Sequence, residues 1–238
     1  MIIASNVSKN FGKLKALNDV SVTCNKGECI ALIGPNGCGK TTLIKTILGM
    51  VISNSGFITF NERNISHDWH YRQHIGYMPQ IGRYPEQMTI GQLIDMMVDI
   101  RGKQTMPLDE DLVMAFGLKE MYHKRMGTLS GGTMQKVSAA LAFMFNPAVL
   151  ILDEPTAGLD PVAAEILKEK IVSESRKGKL VMITSHILSE LDDLVTQVIY
   201  MQEGKIIFHK SIDALRADTG QEKLSKAIAS VMIKQSAK

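Results

Sequence analysis

The sequence predicts an α/β domain with a parallel core, and three observations predict it. The apolar run 28–33, Glu28-Cys29-Ile30-Ala31-Leu32-Ile33, empties directly into a glycine-rich loop and then into the helix-compatible stretch 43–48. That is the strand, turn and helix order of a phosphate-binding unit. Two further buried-strand runs, 149–152 and 180–183, each finish in polar side chains: Asp153 and Glu154 in one case, Thr184, Ser185 and His186 in the other. Between loop and carboxylates the apolar positions fall at helical spacing, with Ile90, Leu93, Ile94, Met97 and Val98, then Leu112, Ala115, Phe116 and Leu118.

The loop itself is Gly34-Pro35-Asn36-Gly37-Cys38-Gly39-Lys40-Thr41-Thr42, a complete Walker A pattern. Its glycines let the backbone curl with N–H groups inward, so that they and the helix N-terminus meet a polyphosphate with partial positive charge. Lys40 is expected at the β- and γ-phosphates, the Thr41 hydroxyl on Mg²⁺, and Thr42 as a second hydroxyl contact. A tight glycine turn alone would explain the glycines but not the Lys-Thr pair behind them. Cys38 is expected to react with thiol reagents that block the site, with MgATP protecting it.

The strand 149–152 ends in adjacent carboxylates, and in a parallel sheet ligands bind at that end. Their expected division of labour is chemical: Asp153 holds the Mg²⁺ shell, while Glu154 stays free as the base for the attacking water. Pro155 cannot continue a ladder and ends the strand.

Leu129-Ser130-Gly131-Gly132-Thr133-Met134-Gln135-Lys136 narrows the class. Ser130 reads as an N-cap, with Gly131 and Gly132 baring the first N–H groups of a helix through 137–143. This is a second anion site without base or lysine of its own. Here the chain resembles the ABC ATPase family, whose signature begins Leu-Ser-Gly-Gly, from Ile2 to about Phe208. The resemblance implies a P-loop NTPase (RecA-like) core with an antiparallel β edge, formed by the strand-like segments 2–7, 17–24 and 57–60, and an inserted helical subdomain. It implies ATP and Mg²⁺ as cofactors and a head-to-tail pair of copies, each signature closing over the γ-phosphate held by the other.

Four single residues fall where that family has functional positions. Gln80 matches the Q-loop glutamine, which touches Mg²⁺ or the attacking water. His186 matches the switch histidine at the γ-phosphate, which positions Glu154 and water. Asp160, in Ala157-Gly158-Leu159-Asp160, matches the aspartate that couples the two sites across the dimer. Phe11 matches the aromatic that stacks under adenine. Cys38 and Thr133 depart from the commoner residues at positions without a side-chain role.

At 238 residues the chain has the size of one domain, 1–238, with the helical subdomain at about 84–145 and a C-terminal helix at about 211–234. A second nucleotide-binding unit is expected to come from another copy. No apolar run approaches the roughly 20 residues that span a bilayer, and a signal peptide is not recognised, so transmembrane permease subunits are expected on a separate chain. The expected location is the cytoplasmic face of the inner membrane, peripherally bound. Net charge is +3, from 27 basic and 24 acidic residues without a basic block, which does not recommend nucleic acid. The three cysteines suit a reducing compartment. Met88, Met96, Met97, Met106, Met114, Met121 and Met126 crowd the helical region and read as core filler. A hairpin of 195–201 with 205–208 precedes the C-terminal helix.

The segments Tyr77-Met78-Pro79-Gln80, Arg83-Tyr84-Pro85-Glu86, 129–145 and 219–224 are similar to the ATPases of copper-processing transporters that serve nitrous oxide reductase maturation. That resemblance implies copper or sulfur species as cargo. Multidrug, polysaccharide or lipid exporters of the same branch are the alternative, and a soluble ABC ATPase switch not involved in transport is an alternative of another class.

Overall fold

A computed structural model describes residues 1–102 and 107–236. Along the chain the elements are β1 (Ile2–Phe11), β2 (Leu14–Cys24), β3 (Cys29–Ile33), α1 (Lys40–Ile47), β4 (Ser55–Phe60), β5 (Arg63–Asn64), β6 (Ile75–Met78), α2 (Ile90–Arg101), α3 (Asp111–Ala115), α4 (Gly131–Met144), β7 (Val149–Asp153), α5 (Pro161–Arg176), β8 (Leu180–Thr184), β9 (Gln197–Gln202), β10 (Lys205–Ser211), α6 (Ile212–Thr219) and α7 (Leu224–Ser236). They form two compact units, Met1–Tyr71 with Leu180–Lys238, and Arg72–Lys179.

In the first unit β3 lies between β8 and β9, parallel to both, with Ile30 opposite Met182 and Ala31 opposite Val198. Every residue of β3 and β8 is buried, which is why both read as unbroken apolar runs. The hairpin β9–β10 closes one side antiparallel. A separate antiparallel sheet has the order β2-β1-β4-β5 and alternates buried and exposed positions. Its β1 runs to Phe11, four residues beyond the expected strand, because pairing with β2 continues to the turn, where Phe11 faces Leu14.

The expected single helix at 211–234 is two. α6 ends at Gly220, whose φ of +66° is the left-handed conformation that closes a helix, and its N–H returns to the Arg216 carbonyl. The chain then restarts as α7, whose first N–H, that of Leu224, donates to Asp192 at 2.7 Å.

In the second unit β6 and β7 are parallel, Tyr77 opposite Ile151. This unit contains the helical stretch expected at 84–145, but extends to either side of it, taking in β6, β7 and α5. α2 begins at a capping box in which Thr89 and Gln92 satisfy each other's backbone N–H. α5 is anchored by a buried ion network. Lys170 Nζ donates to Asp109 at 2.6 Å and Asp111 at 2.7 Å, and approaches Glu174 at 3.4 Å. Glu174, its side chain 1% exposed, also meets Lys177 at 2.7 Å and Lys179. Burial alone would raise the Glu174 carboxyl, but the bonds to Lys177 and Lys179 and the nearby Lys170 outweigh it and bring it down to about 2. Of the clustered methionines only Met126 is fully buried, Met114 is exposed, and Met106 lies outside the described residues.

Candidate active site

In the first unit, β3 delivers the chain to the loop and α1 carries it away. Two glycines let the loop pass between neighbours. A Cβ on Gly34 would stand 2.1 Å from the Met201 carbonyl oxygen, and one on Gly39 2.5 Å from that of Ala16. Both also hold positive φ, +149° and +110°. The loop is braced from the hairpin side, where Gly204 N–H donates to the Cys38 carbonyl at 2.9 Å and Gly204 in turn accepts from Asn18 at 2.8 Å.

Lys40 is buried, and its ammonium curls back over the loop to donate to the Gly34 carbonyl at 2.7 Å and the Pro35 carbonyl at 3.2 Å. α1 begins without a side-chain cap or an acidic residue in its first turn. The orphan N–H groups of that turn, with Lys40 above them, are the donor set a polyphosphate requires, so the residues present fit ATP. Thr41 is exposed and Thr42 half-buried; Pro35, Asn36 and Gly37 line the exposed rim of the loop. Cys38 is 3% exposed, its Sγ 3.9 Å from Lys40 Nζ, so the thiol lies beneath the loop rather than on it.

Phe11 stands at the tip of the β1–β2 hairpin, 50% exposed, with Lys9 Nζ 5.2 Å from its ring centroid. It is therefore a surface aromatic and not core. His186 is exposed just past β8, in a turn fixed by the Ile187 N–H, which donates to Ser185 Oγ at 3.0 Å.

In the second unit, β7 ends in Asp153 and Glu154 follows it, both buried. Glu154 holds φ at +53°, a left-handed conformation costly for a residue with a Cβ. Burial first, and the Asp153 charge second, push the Tyr77 hydroxyl up to about 12, so Tyr77 is a neutral neighbour. Gln80 is exposed beyond β6.

Ser130 caps α4 as expected: its Oγ accepts from Thr133 N–H at 3.2 Å and lies 2.9 Å from the Thr133 hydroxyl. The two glycines behind it differ. A Cβ on Gly131 would meet open space, whereas one on Gly132 would stand 2.8 Å from the Gly158 carbonyl oxygen. Asp160 caps α5, accepting from Ala163 N–H at 2.9 Å, and forms a 2.7 Å ion pair with Lys136 of α4. The bond from Lys136 and the cap bond lower the Asp160 carboxyl. Sequence reasoning missed Gln135, a buried amide on α4 whose Nε2 donates to the Glu154 carbonyl at 3.4 Å. The signal was a polar residue on the apolar side of a helix.

A β-strand, phosphate loop and helix beside a parallel core is the P-loop nucleoside triphosphatase fold, and solved structures agree. The structure of an ATP-binding subunit of an ABC transporter matches with TM-score 0.89 at 26% identity, covering 98% of this chain and 99% of that one. The family model described as ABC transporter matches residues 17–157. The lantibiotic transport ATP-binding protein SrtF of Streptococcus pyogenes is 34% identical over 218 residues, 90% of this chain and 92% of its own length. The Nod factor export ATP-binding protein I of Burkholderia lata is 33% identical over 214 residues, 88% of this chain and 70% of its own. The chain belongs to the ABC transporter family, as an ATP-binding subunit with ATPase activity.

Proposed function

We propose that this ATPase energises an exporter-type membrane partner as a head-to-tail pair of copies. The observation that carries the reading is that two helix N-termini differ in chemistry. The N-terminus of α1 has a lysine folded over it. The N-terminus of α4 has the Ser130 cap, Gly131 and Gly132, its lysine Lys136 being committed to Asp160. An anion site without catalytic groups is useful when it closes over a phosphate held elsewhere, and a second copy supplies that phosphate.

In the proposed mechanism Phe11 stacks on adenine, while the N–H groups of 34–42 and Lys40 hold the β- and γ-phosphates. Bound Mg²⁺, held by Thr41 and Asp153 with Gln80 nearby, would neutralise charge on those phosphates. Glu154 accepts a proton from water, whose oxygen forms a bond to the γ-phosphorus as the bond to the bridging oxygen of ADP breaks. His186 orients that water and the γ-phosphate. Ser130, Gly131 and Gly132 of the other copy bear on the same γ-phosphate, and Asp160 shapes the loop between the copies. Loss of the γ-phosphate then releases contacts that only the ATP state has, and this difference drives the partner.

Among the described residues no helix is long and apolar enough to cross a membrane. The permease is proposed as a separate chain, and this subunit as peripheral on the cytoplasmic face of the inner membrane. The relatives named for lantibiotic transport and Nod factor export support an exporter-type partner. The second reading, copper or sulfur species for nitrous oxide reductase maturation, rests on the likeness of 77–80, 83–86, 129–145 and 219–224 to the ATPases of such transporters.

The test is a pull-down of the tagged chain from detergent-solubilised native membranes, with mass spectrometry. A multi-spanning membrane protein without a metal-maturation factor supports the first reading. A periplasmic copper-maturation factor alongside it supports the second. Recovery of soluble proteins only, from the cytosolic fraction, overturns both in favour of a soluble switch.

A further inference from the structure

Glu154 of the second unit is buried and left-handed, at φ +53°. A non-glycine residue holds such a conformation only where its surroundings over-determine it. At Glu154 the backbone carbonyl receives two donors, the Ala157 N–H at 3.1 Å and Gln135 Nε2 at 3.4 Å. The first closes a local turn. The second comes from α4, nineteen residues away in sequence. Gln135 is 5% exposed, and a buried amide is costly unless its hydrogen bonds are made. The neighbouring residues of α4 press on the same loop: Gly132 packs on the Gly158 carbonyl, and Lys136 pairs with Asp160. The start of α4 thus bears on both ends and the middle of 154–160, and Gln135 reaches the residue that bears the carboxylate.

We infer that Gln135 is a positioning residue for the ATPase reaction, holding Glu154 in its left-handed conformation so that its carboxylate is aimed at the water. The inference rests on the proposed general-base role of Glu154. Because the amide touches the backbone and not substrate, its loss alters the orientation of the base without removing any group that binds nucleotide.

The experiment compares Gln135→Met, which keeps length and burial but has no donor, with Gln135→Ala, which loses both, in the purified full chain. Steady-state ATP hydrolysis, nucleotide affinity and thermal unfolding are measured. Gln135→Met is expected to lower kcat by about ten- to a hundredfold, leaving KM, ATP affinity and the unfolding temperature near those of the parent. Gln135→Ala should add a loss of stability without a larger loss of kcat in the folded protein. If Gln135→Met retains full kcat, or if kcat, affinity and stability fall together, the residue is a packing element and the inference fails. Glu154→Gln is measured in parallel. Should it turn over ATP at the parent rate, the base assignment itself fails, an outcome distinct from a normal Gln135→Met beside an inactive Glu154→Gln.

Discussion

Gly132 lies against Gly158 so closely that a Cβ on it would stand 2.8 Å from the Gly158 carbonyl oxygen, while a Cβ on the adjacent Gly131 would touch nothing. Neighbouring glycines of one motif therefore have different reasons to be glycine. Gly131→Ala should fold with helix stability raised by up to about 1 kcal/mol, yet lose turnover if the bare N–H groups meet a phosphate. Gly132→Ala must shift the loop backbone and is expected to cost about 1–3 kcal/mol. Thermal unfolding and ATPase assays on the two variants separate the effects. Equal stability losses would contradict the geometry.

Lys40 donates to two loop carbonyls and is expected at the phosphates as well. Lys40→Met should cost about 1–2 kcal/mol without nucleotide, by leaving carbonyls short of donors. It should also abolish the rise in unfolding temperature that ATP produces in the parent. A preserved ATP-dependent shift would remove Lys40 from the phosphate site.

Glu154→Gln keeps size and one acceptor oxygen but cannot take a proton. Nucleotide binding should persist, turnover should fall by about a hundredfold or more, and the ATP-bound pair of copies should accumulate in size-exclusion chromatography.

Glu174 gives the second unit a defined acid response. Its folded carboxyl lies at about 2, below the usual 4.5, so its contribution is fully present above about pH 5 and is lost as pH falls toward 2. Glu174→Gln should cost about 3 kcal/mol at neutral pH, because Lys177 and Lys179 lose their buried anion. It should also flatten the stability profile between pH 5 and 2. Urea unfolding across that range is the measurement, and an unchanged slope would rule the carboxylate out as the source.

Cys24 and Cys29 are fully buried, and burial pushes both thiols up to about 12. Thiol labelling of the native chain should therefore occur at Cys38 alone, slowly because it too is buried, and MgATP should slow it further. Inhibition by the reagent that survives in Cys38→Ala would place the effect elsewhere.

Much of the fold was legible because buried parallel strands leave a plain mark. β3, β7 and β8 are buried at every position, so each is a short apolar run, and the residues at their ends, Gly34, Asp153 and Thr184, mark where each run stops. The Ser130 cap was legible for a similar reason, since a hydroxyl before bare glycines has one good use at a helix start. The division between α6 and α7 was also written in the chain, as Gly220, but the apolar stripe on either side of it concealed the break.

The sequence by itself determined the chemistry available: a phosphate loop with Lys40 and Thr41, adjacent carboxylates at 153 and 154, and a capped helix at 130, each a local pattern of residue types and spacings. Only the tertiary structure decided how those groups are held. The left-handed Glu154, the amide of Gln135 at its carbonyl, the approach of Gly132 to Gly158 and the pairing of Lys136 with Asp160 depend on residues well apart in the sequence. The physical reason is that a backbone conformation or a buried hydrogen bond is fixed by neighbours in space, and a pattern read along the chain contains only neighbours in sequence.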